Sequence, residues 1–333
     1  MYTKFYGFKT KPFEITPDPK FLFLSESHRE ALAHLTYAVR EKKGFTVITG
    51  EVGTGKTTLV QTLLSRLNGD TRTAYLFNPK LGATDFIHSV CEDFGVKSTK
   101  RSKGQYINQL HQFLLDCYGR NENVVLIIDE AHTLDPNLLE EVRLLTNLET
   151  PQSKLLQVIL IGQPELNDTL NSPEFRQLKQ RVSLRYHLQP LNEDDTKEFI
   201  RKRLRIAGGA DPDMFTSKAI QEIFQYSKGI PRLINIICDN ALLTGYTTDQ
   251  KVIGHKIIHE VIDHLNGMGL RKKSRRIVFY IIPLLIFVIL GTSSYFLWKD
   301  SFPKVKWEIT ESVNALGKMA ERLYQETVGK WFQ

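Results

Sequence analysis

The chain has 333 residues and a formal net charge of +7 at pH 7. Five basic residues lie in the short run 271–276, whereas residues 1–270 carry 33 basic and 32 acidic side chains. This near balance excludes a strongly basic body that would bind nucleic acid by charge alone. The three cysteines stand apart without metal-ligand spacing, so they indicate neither a disulfide framework nor a metal site.

A glycine-rich loop follows a short apolar strand predicted over 44–49. Its sequence, GEVGTGKT, fits the phosphate-binding pattern G-x-x-x-x-G-K-[ST], and apolar residues at helical spacing follow it. Between a strand and a helix, the backbone N–H groups of such a loop can surround a polyphosphate. The alternative is a glycine-rich turn that binds no ligand. Lys56 is expected to reach the β- and γ-phosphates, and the Thr57 hydroxyl to ligate Mg²⁺. The predicted nucleotide contacts are Gly50, Glu51, Val52, Gly53, Thr54, Gly55, Lys56, Thr57 and Thr58.

A second apolar strand ends in two acidic residues further along the chain. Residues 124–128 are all aliphatic, which is typical of a parallel strand buried on both faces, and Asp129 and Glu130 follow. An open α/β sheet binds its ligand at the carboxyl ends of its strands, so both acids are expected beside the loop. Asp129 is predicted to hold Mg²⁺ and its water shell, and Glu130 to polarise the attacking water. The alternative is a core strand that ends in acids at a surface turn.

The remaining pattern predicts a parallel α/β sheet with helices on both faces, followed by a small helical domain. Three further strands are predicted, over 72–78, 155–161 and 182–188. From about 192 to 266 the pattern is wholly helical, with segments near 192–207, 216–228, 231–246 and 253–266. We therefore expect a nucleotide-binding core over 1–190 and a helical domain over 191–270.

Arginines near the last strand and in the helical domain are further candidates. Arg232 follows Pro231 in the first turn of a predicted helix, from which it could reach a γ-phosphate. Beside the last strand, Arg181 is the preferred candidate for an arginine supplied by a neighbouring subunit, and Arg176 is the second. For Arg232 the alternative is an ordinary surface arginine. An arginine that acts between subunits predicts a homo-oligomer.

An uncharged segment of 22 residues, 277–298, follows the helical domain. As one helix, at about 1.5 Å per residue, it would span a hydrocarbon core of ~30 Å. The basic run 271–276 predicts that the preceding residues are cytoplasmic. The sequence therefore predicts a single-pass protein of the inner (cytoplasmic) membrane with a short periplasmic tail over 299–333. Apolar residues at steps of three or four predict an amphipathic helix in the tail, and a frayed tail is the alternative.

Several motifs together resemble AAA+ ATPases of the ExeA/GspA, or general secretion pathway protein A, family. They are the aromatic opening over 6–21, SHREAL at 27–32, the phosphate loop, DEAH at 129–132, GQPEL at 162–166 and GIPR at 229–232. The resemblance covers about residues 1–298 and implies a P-loop NTPase (AAA+) fold whose helical domain forms a lid. It assigns Gln163 to the polar sensor position after the fourth core strand and Arg232 to the second sensor in the lid.

The resemblance implies ATP and Mg²⁺ as cofactors, and a ring of identical subunits. It also implies that hydrolysis serves the assembly or placement of envelope machinery, such as a secretion pore, a pilus or a polysaccharide export system. Such machinery would be contacted through the tail or the membrane helix. The tail is too short for the peptidoglycan-binding domain of the secretion members, so direct binding to the cell wall is not expected.

Two alternatives to this function stay open. One is an ATPase that handles nucleic acid, as in target selection for transposition, which the near-neutral charge of residues 1–270 and the predicted membrane anchor disfavour. The other is a nucleotide-gated scaffold with little turnover, which the second acid, Glu130, disfavours.

Overall fold

The computed structural model describes residues 1–15, 19–67, 69–77, 81–97, 102–208, 211–267 and 313–322. The chain divides into two compact units, Met1–Ile262 and Asp263–Gln333. The first unit contains a sheet and a helical bundle. In the second unit, residues 313–322 form a helical segment with exposed side chains, which is part of the helix predicted for the tail.

The sheet has five strands, and helices lie before, between and after them. The strands are β1 (Phe45–Gly50), β2 (Thr71–Phe77), β3 (Asn123–Asp129), β4 (Gln157–Gly162) and β5 (Leu184–Leu188). The helices up to the end of the sheet are α1 (Tyr2–Tyr6), α2 (Glu26–Arg40), α3 (Lys56–Arg66), α4 (Ala83–Asp93), α5 (Lys103–Gly119), α6 (Pro136–Leu145), α7 (Glu165–Asn171) and α8 (Arg176–Arg181). Those that follow it are α9 (Glu193–Ile206), α10 (Ser217–Ser227), α11 (Pro231–Thr247) and α12 (His255–Leu265).

All five strands are parallel, in the order β2-β3-β4-β1-β5. The aliphatic run of β3 is buried on both faces because alternate residues pack against different helices. Val124, Leu126 and Ile128 join the cluster that includes α4, α5 and α6, whereas Val125 and Ile127 join the one that includes α2 and α3. The predicted parallel α/β sheet, covered on both faces, is confirmed.

The segment before α2 packs with the helical bundle. Five of its aromatic side chains are buried in one apolar cluster with residues of α9, α10, α11 and α12; they are Tyr2, Tyr6, Phe8, Phe13 and Phe21. The Tyr6 hydroxyl donates to the carbonyl oxygen of Gln250 at 2.9 Å. Gly245 leaves room for this ring, since a Cβ there would lie 2.4 Å from the hydroxyl oxygen. The chain therefore enters the bundle first and then crosses to the sheet.

A close backbone approach joins the end of the sheet region to the start of α11. Leu191 N–H donates to the carbonyl oxygen of Gly229 at 2.9 Å. Gly229 has a φ of +75°, and a Cβ there would lie 1.8 Å from the carbonyl oxygen of Leu191. Only glycine fits this position, so the placement of α11 and of Arg232 in its first turn depends on it.

The structure corrects the predicted membrane topology. Among the residues that the structure describes, no helix is long and apolar enough to cross a membrane. This finding contradicts the predicted single-pass location at the inner membrane. The basic run 271–276 and the predicted membrane span 277–298 lie outside the described residues.

Replacing Gly229 with alanine tests the junction between sheet and bundle. The added Cβ meets backbone atoms that cannot move independently, so Gly229→Ala should cost about 2 kcal/mol or more in the free energy of unfolding. Thermal unfolding of the purified chain should show a Tm several degrees lower. The matched control is Gly104→Ala on α5, where a Cβ has no neighbour within 4 Å. Equal Tm values for the two variants would contradict the role of this contact.

Candidate nucleotide-binding site

The loop between β1 and α3 requires glycine at two positions. Gly53 and Gly55 have φ values of +82° and +101°. A Cβ at Gly53 would lie 2.6 Å from Cβ of Arg232, and one at Gly55 would lie 2.9 Å from Nε2 of His28. The backbone N–H of Arg232 also donates to the carbonyl oxygen of Gly53 at 3.3 Å. The two glycines thus let the loop touch the bundle on one side and α2 on the other.

Lys56, the first residue of α3, lies inside the curve of this loop. It is only 6% exposed, and its Nζ donates to the carbonyl oxygens of Gly50 at 2.8 Å and Glu51 at 3.0 Å. Burial lowers the pKa of the ammonium group, while the nearby carboxylates of Glu130 and Asp129 act in the opposite direction. A buried cation at the N-terminus of a helix, inside a ring of loop backbone, suits a polyphosphate.

Three donors orient the carboxylate of Asp129, which is fully buried. Its Oδ2 accepts from the hydroxyls of Thr57 and Tyr75, each at 2.9 Å. Its Oδ1 accepts from the backbone N–H of Glu130 at 2.9 Å. Burial, together with the charge of Asp129, raises the pKa of Tyr75, so this hydroxyl stays a donor at neutral pH. The carboxylate is therefore fixed facing the first turn of α3.

The pairing of Thr57 with Asp129 fits a Mg²⁺ ion. Hydroxyl and carboxylate oxygens are the protein ligands that Mg²⁺ takes beside substrate phosphates, and it keeps several waters as well. The described part of the chain contains no group of three or more His, Cys, Asp or Glu side chains that could hold a metal. The Thr57 and Asp129 oxygens therefore fit an ion that arrives with a polyphosphate.

Glu130 lies in a tight turn directly after β3. Its φ is +52°, in the left-handed region that non-glycine residues seldom adopt. Thr133 holds this turn, because its N–H and its hydroxyl donate to the carbonyl oxygen of Glu130 at 2.9 and 2.8 Å. Oε2 of Glu130 lies 3.4 Å from Nδ1 of His132. A conformation of this kind persists where neighbouring contacts enforce it, which is common at functional sites.

A cleft of about 570 Å³ connects the loop with the bundle and with the segment before α2. Residues 52–58 of the loop line it, as do Glu130 and Arg232. The apolar part of its lining includes Ile15, Phe21, Phe23, Leu191 and Phe199. The cleft thus combines a polar surface suited to phosphates with an apolar surface suited to a base.

The other predicted site residues have different surroundings. In the described structure neither Gln163 nor Arg181 is among the residues that line the cleft. The backbone N–H of Gln163 donates to Nδ1 of His132 at 3.4 Å. Arg181 ends α8, and its Nη1 donates to the hydroxyl of Thr146 at 2.9 Å. A single chain therefore brings the loop, Asp129, Glu130 and Arg232 together, but not Arg181.

His28 supports the loop, although sequence analysis gave it no role within the SHREAL segment. It is buried in α2, with Nε2 at 2.9 Å from the carbonyl oxygen of Thr54 and Nδ1 at 2.7 Å from Oγ of Ser25. Because a carbonyl oxygen only accepts, Nε2 carries the proton and Nδ1 accepts from the serine. Burial lowers the pKa of His28, so this neutral form prevails at neutral pH.

The fold and the cleft define a P-loop nucleotide-binding protein of the AAA+ class. Residues 39–170 match the family model described as an AAA domain. Two solved structures are similar, the Aeropyrum pernix ORC2 protein and Cdc6p from Pyrobaculum aerophilum. Their TM-scores are 0.58 and 0.54, at 15% and 17% identity. The match covers 77% of this chain and 72% of the first structure, and 72% and 68% for the second. At these identities the likeness concerns the fold alone.

The chain is a relative of the general secretion pathway protein A of Aeromonas hydrophila. The two sequences are 46% identical over 260 residues, which is 78% of this chain. The predicted resemblance to that family is thereby confirmed. The chain spans about half (47%) of the length of this relative.

Replacing Tyr75 with phenylalanine tests the arrangement around Asp129. The variant keeps the ring but removes one of the three donors, so the carboxylate can turn away from Thr57. Because partners that orient metal ligands typically contribute about 10- to 100-fold to metal affinity, Mg²⁺ should promote binding of a fluorescent ATP analogue only at about tenfold higher concentration. Tyr186→Phe is the matched control, since its hydroxyl donates to Glu30 instead. An unchanged Mg²⁺ requirement in Tyr75→Phe would contradict the assignment.

Proposed function

We propose that the chain binds ATP with Mg²⁺ in this cleft and hydrolyses it to ADP and phosphate. The observation that carries the proposal is the hydrogen bond between Thr57 and Asp129 beside the buried Lys56. It brings a cation and two oxygen ligands to one glycine-rich loop, with Glu130 in the lining of the same cleft. These are the groups that hydrolysis of a nucleoside triphosphate requires.

In this proposal the loop and Lys56 hold the β- and γ-phosphates, and the base lies against the apolar lining. Thr57 and Asp129 would supply the protein ligands of Mg²⁺, which when bound neutralises charge on the phosphates. Glu130 would accept a hydrogen bond from the attacking water and align it with the γ-phosphate. Arg232 would contact the γ-phosphate from the first turn of α11 and so relate the position of the bundle to the bound nucleotide.

We further propose that Arg181 acts on the nucleotide of a neighbouring subunit in a homo-oligomeric ring. Two observations support this. Arg181 does not line the cleft of its own chain, and it ends α8 shortly before β5, an outer strand of the sheet, where a second copy can approach. An arginine supplied across an interface stabilises charge in the transition state of phosphoryl transfer. Gln163, directly after β4, would act as the polar sensor.

We propose that hydrolysis drives or regulates the assembly of an envelope secretion, pilus or polysaccharide export system. The identity of 46% to a protein named for the general secretion pathway supports this role. The shared region is about half of that relative. The proposed role in assembly therefore rests on this region only.

Substituting Glu130 and Lys56 separately distinguishes hydrolysis of ATP from its binding. Glu130→Gln keeps the shape of the side chain but cannot accept a proton, so it should bind ATP normally and release phosphate at least about 100-fold more slowly. Lys56→Ala should lose ATP binding itself, because the phosphates lose their buried cation. Fluorescent-nucleotide titration and phosphate release measure the two properties. Turnover at the wild-type rate in Glu130→Gln would contradict the role of this acid.

Mixing two inactive variants tests the arginine between subunits. Lys56→Ala lacks a working cleft but retains Arg181, whereas Arg181→Ala retains the cleft. Mixed oligomers should therefore recover turnover that neither variant shows alone. Arg176→Ala, at the exposed second candidate on the same helix, discriminates between the two arginines, since it should keep wild-type turnover on its own if Arg181 is the one that acts in trans. Absence of recovery at every ratio, with mixed oligomers demonstrated by cross-linking, would contradict action in trans.

A further inference from the structure

One atom of His132, the last residue of the DEAH box, faces two groups with opposite requirements. Its Nδ1 lies 3.4 Å from Oε2 of Glu130 and 3.4 Å from the backbone nitrogen of Gln163. The carboxylate can only accept a hydrogen bond, and the backbone N–H can only donate one. Nδ1 therefore satisfies one of these neighbours at a time.

The two hydrogen-bonding states of the imidazole have different consequences for Glu130. When Nδ1 carries a proton, it donates to Oε2 and fixes one oxygen of the carboxylate, leaving Oε1 to accept from water. When Nδ1 carries a lone pair, it accepts from Gln163, and Glu130 loses its donor. The backbone N–H of Gln163, after β4, and the carboxylate of Glu130 thus compete for the same nitrogen.

The surrounding backbone keeps this contact in place. Gly162 ends β4 directly against the DEAH turn, since a Cβ there would lie 3.1 Å from the backbone nitrogen of His132. On the other side, Thr133 holds the carbonyl group of Glu130 with two hydrogen bonds. The side chain of His132 is only 15% exposed, so water competes little for the contact. A small shift of the Gln163 backbone therefore changes the hydrogen bonding of Nδ1.

We propose that His132 is a positioning residue: its Nδ1–H orients the Glu130 carboxylate toward the attacking water, and the backbone N–H of Gln163 competes for that nitrogen. This inference rests on the proposed ATPase function. The end of β4, which carries the predicted sensor, is thereby linked to the general base through one side chain. When Gln163 shifts away from His132, the ring proton can exchange through water from Nε2 to Nδ1, and Nδ1–H then donates to Glu130. The return of the Gln163 N–H favours the form protonated at Nε2 and removes that hydrogen bond.

Two substitutions of similar size distinguish positioning from packing. The side-chain amide of asparagine presents an N–H donor near the place of Nδ1, whereas leucine presents none. His132→Leu should lower kcat at least about tenfold with ATP affinity and Tm unchanged, because only the orientation of the base is lost. His132→Asn should retain most of the turnover. His255→Ala, at an exposed histidine of the bundle, should behave like the wild type.

A double-mutant cycle shows whether His132 acts through Glu130. In the Glu130→Gln background, His132→Leu should cause no further loss of kcat, because residues that act as one unit are not additive. Equal losses for His132→Leu and His132→Asn, or full additivity with Glu130→Gln, would overturn the inference. Wild-type turnover in Glu130→Gln alone would instead overturn the proposed function. The two failures are therefore distinguishable.

Discussion

The hydrogen bond between Thr57 and Asp129 connects two strands that are not neighbours. The phosphate loop follows β1, the acids follow β3, and β4 lies between them in the sheet. A parallel sheet brings the carboxyl ends of all three strands to one edge, so a single hydroxyl can bridge the gap. The DEAH turn and the residues after β4 pack at the same edge, which places Glu130, His132 and Gln163 in one network.

The bundle and the segment before α2 supply the remaining walls of the cleft at this edge of the sheet. Gly53 touches Arg232 and Gly229 touches Leu191, so the loop and the end of the sheet each meet the bundle through a glycine. The segment before α2 packs with the bundle and also contributes Phe21 and Phe23 to the lining of the cleft. A nucleotide in the cleft would therefore contact sheet, bundle and segment together. This arrangement explains how binding or loss of phosphate could change the position of α11.

Sequence patterns identified the parts of the site that are local in the chain. The loop and the acids after β3 are short motifs with a defined structural setting, and the five strands follow from apolar runs between helices. Tyr75 and His28 were missed because their roles arise from tertiary contacts: Tyr75 meets Asp129 only through the pairing of β2 with β3. Phe21 and Phe199 resemble ordinary core residues in the sequence, since an apolar cleft and an apolar core use the same side chains. The proposed action of Arg181 on a neighbouring subunit depends on assembly, and the contacts within a single chain do not contain that information.

The decisive measurement is phosphate release by the full chain, with Mg²⁺ or with a chelator, over a range of protein concentration. A Mg²⁺-dependent ATPase that completes its sites between subunits should release phosphate only with Mg²⁺, at a rate per chain that rises with concentration. Tight ATP binding without phosphate release at any concentration would contradict the proposed function and would favour a scaffold that nucleotide only gates.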